Sequence, residues 1–207
     1  MTDAPDTPQI YLITPPAFEA SRYPEVLARC LDTVPVACIR LALAGTDEAA
    51  MGRAADLVRE VAHARDVALV IETHLALAER HGLDGVHLTD GARSVGRIRK
   101  AMGDDAIVGA FCGNSSHDGM TAGELGADYV SFGPVARTAL GTGRIAEPEL
   151  FRWWSEMIEV PVVAEGALTV EAVTALSPFT DFFGIGDEIW SQDDPAETLS
   201  GLHKAMS

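Results

Sequence analysis

The chain has 207 residues, 47% of them hydrophobic and 22% charged, which fits one globular domain with a sizeable core and excludes a disordered polypeptide. Fifteen Lys and Arg stand against 31 Asp and Glu, a formal net charge of -16. That balance opposes binding to nucleic-acid phosphates and to anionic membranes, and leaves small molecules as the expected partners.

No apolar run approaches the ~20 residues of a membrane span. The acidic start, Met1 to Asp6, lacks the basic and apolar regions of a signal peptide. Cys30, Cys38 and Cys112 form no CxxC pair, and one would be left over from any disulfide. That usage points to a reducing compartment, the cytoplasm.

Short apolar runs recur along the chain. They predict strands near Gln9–Ile13, Val36–Leu41, Val67–Ile71, Asp84–Leu88, Ala106–Phe111, Ala127–Phe132, Val160–Ala164 and Phe182–Ile185. Most are continuous rather than alternating, as expected of parallel strands covered on both faces. The segments between them carry helix signals. Thr46-Asp47 precedes the Ala-rich stretch Glu48–His63, Asn114-Ser115 offers an N-cap, and Pro148 suits a helix start. Thr169 starts a helix with Glu171 in its first turn, and the final helix begins near Asp194-Pro195. Eight such units predict a compact (β/α)8 TIM barrel of one domain over residues 1–207, rather than an open doubly wound sheet, which ordinarily has five or six strands. The longest irregular piece, Gly133–Ala146, reads as a mobile loop after the sixth strand.

Strand side chains alternate between faces. On the second strand Ile39 and Leu41 suit the helix face, which turns Cys38, Arg40 and Ala42 inward. The same alternation turns Glu72 inward at the end of the third strand and His87 inward on the fourth. Glu165 and Asp187 take the end positions of the seventh and eighth. Arg40, Glu72, His87, Glu165 and Asp187 thus converge on the C-terminal mouth, where barrel active sites lie. Isolated buried charges cost several kcal/mol, so such a group points to a site. The alternative is a self-neutralising network, Arg40 with Glu72 and His87 with a carboxylate, that serves structure alone.

Four segments carry a resemblance: Ile10-Tyr11-Leu12-Ile13-Thr14, Gly82 to Leu88 (GLDGVHL), Gly126 to Val135 (GADYVSFGPV) and Pro161-Val162-Val163-Ala164 before a Gly. In these the chain resembles the thiamine phosphate synthase and thiazole tautomerase superfamily. Cys112-Gly113-Asn114-Ser115 is similar to the fifth-strand loop of some bacterial synthases. The resemblance implies a (β/α)8 barrel, a homodimer, and Mg²⁺-assisted joining of a pyrimidine pyrophosphate to a thiazole phosphate. With the inward-facing residues this gives Arg40, Glu72, His87 and Thr138 as the expected catalytic residues, and Glu72 and Asp90 as the expected metal ligands. Cys38, Asn114, Arg137, Arg144, Glu165, Gly166 and Asp187 are the expected substrate contacts.

The chain departs from the family at several of these positions. Only Arg40 remains of the family's Gln-x-Arg-x-Lys on the second strand, and Glu72-Thr73 replaces Asn-Asp on the third. Thr138 survives from Thr-x-Thr-Lys without the Lys. Gly166-Ala167 stands for Gly-Gly, and Asp187-Glu188 stands where the family has Ser. A phosphate ~5 Å from one carboxylate loses about 3 kcal/mol at an effective dielectric of 20. Either the site takes no phosphate, or a cation or Arg lies between.

Two further readings stay open. One is a divergent paralogue that only binds a small molecule, non-phosphorylated or cationic. The other is a tautomerase-like proton-transfer enzyme using His87 or His117. His117 reads better as an exposed helical residue, Cys112 as a small buried hydrophobe, and His74 as a residue at the start of the third helix. Of Trp153 and Trp154, one is expected to pack on the barrel and the other in a dimer interface.

Overall fold

A computed structural model describes residues 7–137 and 144–207. The strands are β1 (Gln9–Ile13), β2 (Val36–Leu41), β3 (Ala68–Glu72), β4 (Gly85–Leu88), β5 (Ile107–Phe111), β6 (Tyr129–Phe132), β7 (Val162–Glu165) and β8 (Phe182–Ile185). All pair in parallel and in sequence order, and β8 pairs with β1 to close the barrel. The expected (β/α)8 fold is therefore the observed one. Two strands run one residue further than the apolar pattern indicates: Glu72 and Glu165 are the last residues of β3 and β7.

The helices among the described residues are α1 (Tyr23–Thr33), α2 (Glu48–His63), α3 (Leu75–His81), α4 (Val95–Met102), α5 (Ser116–Glu124), α6 (Pro148–Met157), α7 (Val170–Leu176), α8 (Asp187–Trp190) and α9 (Pro195–Lys204). Asp47, Ser115, Thr169 and Asp194 cap α2, α5, α7 and α9, each accepting from backbone N–H groups of the first turn. At α5 the cap is Ser115, with Asn114 one residue outside.

Alternation divides the core in two. The same-face pairs Ile10 and Leu12, Ile39 and Leu41, Leu69 and Ile71, and Val130 and Phe132 pack outward against the helices. Tyr11, Val70, Tyr129 and Val163 fill the lumen, with Ile13, Cys38, Ile107 and Phe182 against them. Trp154 anchors α6: it is 1% exposed, meets Phe132 edge-on at 5.0 Å, and donates its indole N–H to the Val160 carbonyl. Trp153, beside it, is exposed.

Three aspartates repeat one contact at the foot of the barrel. Asp84 accepts from the Leu69 N–H at 2.7 Å, Asp128 from Val108 at 2.7 Å and Asp181 from Val162 at 2.8 Å. Each precedes an even-numbered strand and ties it to the odd-numbered strand before it. The Asp residues in GLDGVHL and GADYVSFGPV are thus joints of the barrel, remote from its mouth.

Candidate active site

Arg40 is the centre of the lumen mouth. β2 carries it inward between the outward Ile39 and Leu41, and it is 6% exposed. Its guanidinium donates to Glu165 through two nitrogens, at 2.8 and 3.3 Å. Its Nε lies 3.1 Å from Glu72 Oε1, an ion pair without hydrogen-bond alignment. Burial opposes the Arg40 charge, but Glu165, Tyr11 and Glu72 outweigh it and hold the group protonated beyond its ordinary range.

His87 is fully buried and faces Arg40, with Nε2 2.8 Å from Nη1. A guanidinium only donates, so Nε2 accepts and the ring proton sits on Nδ1. Nδ1 is 3.0 Å from the Tyr129 hydroxyl, which lies 2.5 Å from that of Tyr11. The directions follow for the first two: Arg40 donates to His87 and His87 to Tyr129, whose hydroxyl shares a further hydrogen bond with that of Tyr11. The expected pairing of His87 with a carboxylate is corrected here. Burial first, and the Arg40 charge second, push His87 well below its ordinary value and keep it neutral.

The sign of the resulting pH dependence is fixed. Unfolded, His87 takes a proton below about pH 6.5; folded, it resists one. Its contribution to stability is complete above that pH and is lost as pH falls towards the depressed folded value, at up to about 1.4 kcal/mol per pH unit. Glu72 acts in the opposite sense, because burial raises its value against the lowering influence of Arg40. His87 is fully buried whereas the Glu72 side chain is 29% exposed, so the His87 effect is the one expected to dominate. Urea midpoints measured across pH 5 to 7 are expected to fall on the acid side in the wild type and to flatten in His87→Gln.

Above this network opens a cavity of about 560 Å³. Its lining includes Thr14, Arg40, Glu165, Gly166, Asp187 and Glu188. Arg40, Glu165, Gly166 and Asp187 are therefore brought together as expected, although Asp187 reaches the cavity from the exposed start of α8 rather than from the strand end. Glu72 joins them through Arg40.

The other expected residues that are described do not line this cavity. Cys38 sits in the lumen layer two residues nearer the foot of the barrel, where burial pushes its thiol up to about 12. Asp90 is exposed, accepts from Ser94 Oγ at 2.7 Å, and lines a separate cavity of about 400 Å³ with Arg93, Cys112 and Asp118. Asn114 is exposed, as are Arg137 and Arg144. Thr138, with most of the expected mobile loop, lies outside the described residues. His117 is exposed on α5, and His74 turns its ring to the Glu72 carbonyl at 2.6 Å. No sequence expectation gives Tyr11 or Tyr129 a role. The alternation that turned Arg40 inward also turns both of them inward, so the signal was present.

Glu188 does more than its neighbour Asp187. Its two carboxylate oxygens accept from the backbone N–H of Leu168, at 3.0 Å, and of Gly186, at 2.8 Å. It thus bridges the loops that follow β7 and β8. At the first of these loops Gly166 and Ala167 both hold positive φ, 83° and 58°.

Among the described residues no three His, Cys, Asp or Glu side chains lie together as metal ligands. Glu72 is tied to Arg40, and Asp90 to Ser94 in another cavity. Each of the two expected Mg²⁺ ligands is thus engaged by another partner in this structure.

A closed eight-stranded barrel with charges at its C-terminal mouth admits many chemistries. Sequence comparison narrows them: the family model described as thiamine monophosphate synthase matches residues 10–179. The chain belongs to the thiamine monophosphate synthase family. A thiamine-phosphate synthase of Rhodospirillum centenum is 39% identical over 100% of this chain and 99% of its own. One of Erythrobacter litoralis is 35% identical over 91% of each. The fold agrees with membership: a thiamine phosphate pyrophosphorylase from Pyrococcus furiosus superposes with a TM-score of 0.81 at 21% identity, covering 97% of this chain and 96% of that one. A 3-hexulose-6-phosphate synthase shares the barrel with a TM-score of 0.69 at 17% identity, over 96% of this chain and all of its own.

Proposed function

We propose that this protein is a thiamine biosynthetic transferase that joins a pyrimidine pyrophosphate to a thiazole at the barrel mouth. One observation carries the reading: full-length similarity to relatives named thiamine-phosphate synthase. The cavity above Arg40 has the size and position of a small-molecule site. In the reaction the thiazole nitrogen bonds to the pyrimidine methylene carbon, whose bond to the pyrophosphate oxygen breaks as pyrophosphate leaves.

In this reading Arg40, locked by Glu165 and Glu72, is a fixed charged floor to the pocket, and His87 with Tyr129 and Tyr11 positions it from below. Mg²⁺ belongs to the family expectation. Because Glu72 is held by Arg40 and Asp90 by Ser94, no step is derived through it. A cytoplasmic homodimer, with the exposed Trp153 in its interface, belongs to the same reading.

The test is to mix the purified protein with the pyrimidine pyrophosphate, Mg²⁺, and either thiazole phosphate or the thiazole alcohol. Formation of thiamine phosphate or thiamine above background is the expected result. Folded protein with no turnover of either would sink the transferase reading.

A second reading, binding of a non-phosphorylated or cationic ligand without turnover, is favoured by the lining of the pocket. One guanidinium, already paired, faces Glu165, Asp187 and Glu188. Proton transfer by His87 finds no support in the geometry, since the ring is fully buried against Arg40.

A further inference from the structure

We infer that Tyr129 is a positioning residue: by accepting the Nδ1 proton of His87 it holds that ring against Arg40, and so decides which nitrogen of the guanidinium a ligand meets. The contact depends on a gap in the strand between them. Pairing places His87 of β4 opposite Gly109 of β5, and Gly109 opposite Tyr129 of β6. The three form one row across neighbouring strands, and the middle position has no side chain. A Cβ built on Gly109 would stand 2.0 Å from Tyr129 Cζ and 2.3 Å from its hydroxyl oxygen. The phenol thus occupies the space that a side chain at position 109 would fill. It reaches over β5 to lie nearly parallel to the His87 ring, with 19° between the planes and its hydroxyl 3.0 Å from Nδ1.

Arg40 shows what this bond controls. Nη1 carries two protons, and Glu165 Oε2 and His87 Nε2 take one each, both at 2.8 Å. Nη2 gives one of its two to Glu165 Oε1 at 3.3 Å, and among the described residues nothing accepts the other. Arg40 lines the cavity, so with His87 in place the guanidinium keeps Nη1 closed and leaves Nη2 for a ligand. His87 can accept from Nη1 only while its own proton stays on Nδ1, and a buried N–H is costly without an acceptor. Tyr129 supplies that acceptor. Without the phenol oxygen the ring would bury an unpaired N–H, or carry its proton on Nε2 and set donor against donor.

The inference rests on the mouth being the ligand site of the proposed transferase, and it is read by spectroscopy as well as kinetics. Nitrogen NMR of the intact protein at neutral pH is expected to show one His87 tautomer, with the proton on Nδ1. Tyr129→Phe keeps the ring and removes the acceptor, and is expected to split or shift that signature. In turnover assays the same variant is expected to raise KM for the pyrimidine pyrophosphate about fivefold or more and to lower kcat less than about twofold, as when a group that binds ground and transition states alike is misplaced. Gly109→Ala pushes the phenol away from the other side and is expected to give the same two changes. Melting temperatures are recorded for both variants, because a purely structural role would lower them and leave KM and the tautomer of the folded protein unchanged. A wild-type proton on Nε2 would overturn the inference without any variant, as would an unchanged spectrum or KM in folded Tyr129→Phe. Absence of turnover in the wild type would count against the transferase reading, and the spectra would then decide the inference by themselves.

Discussion

Replacing Arg40 by methionine is expected to destabilise the protein by about 3–5 kcal/mol, because one partner of a buried ion pair disappears while the others stay. Glu165 has a side chain only 11% exposed and Glu72 one 29% exposed, so neither carboxylate recovers full hydration. His87 Nε2 also loses its donor, at an expected cost of about 1–3 kcal/mol for an unsatisfied buried acceptor. These costs overlap within one network and do not add.

The double variant Arg40→Met/Glu165→Leu removes both members of the tightest pair. It is expected to recover most of the loss and to retain the deficit left at His87. Urea unfolding of the four members of the cycle measures this directly. A single-variant cost under about 1 kcal/mol would show that solvent reaches the network freely. The result also bears on activity measurements. Loss of turnover in an Arg40 variant is evidence about chemistry only once its unfolding curve shows the protein folded.

Gly85→Ala is expected to cost more than about 3 kcal/mol, above the usual range for an overpacked core. A Cβ built on Gly85 would stand 1.8 Å from the Ile107 carbonyl oxygen and 2.6 Å from its carbon. Those atoms are backbone on the neighbouring strand, paired in register with Gly85, and no side-chain rotation relieves the clash. β4 would have to move away from β5, taking with it His87, two residues along. Gly201→Ala provides the opposite sign. It lies within α9, where a Cβ meets nothing within 4 Å, and is expected to stabilise by about 0.5–1 kcal/mol through helix propensity. Thermal melts of the two variants beside the wild type separate a steric effect from a general effect of Gly to Ala.

Gly85 in GLDGVHL thus has a steric cause. A strand glycine marks a close approach of another backbone, and the motif could be recognised without knowing which backbone approaches. The neighbouring Asp84 illustrates the same limit. Its place at the head of an apolar run reads as the first residue of a strand, whereas its bond to the Leu69 N–H depends on β3 and β4 lying side by side.

Several features of this protein follow from its sequence alone. Apolar runs every 26 residues or so specify eight parallel strands, because only strands covered on both faces tolerate such continuous hydrophobicity. The two-residue period then sends Arg40, Glu72, His87 and Glu165 to the lumen face. Helix starts at Asp47, Thr169 and Asp194 are equally local, since a capping side chain reaches only the first turn of its own helix. Partnership is a different quantity. Alternation gives the direction of a side chain relative to its own strand, while the residue it meets depends on closure of the barrel and the stagger between strands. Arg40 meets Glu165 across 125 positions of sequence, and His87 meets that same Arg40 rather than a carboxylate. Glu188 likewise reads as one acid among many until two loops, each ending a different strand, bring the Leu168 and Gly186 N–H groups to its two oxygens. Local chemistry chose the residues at the mouth, and the closed barrel decided which of them neutralise one another.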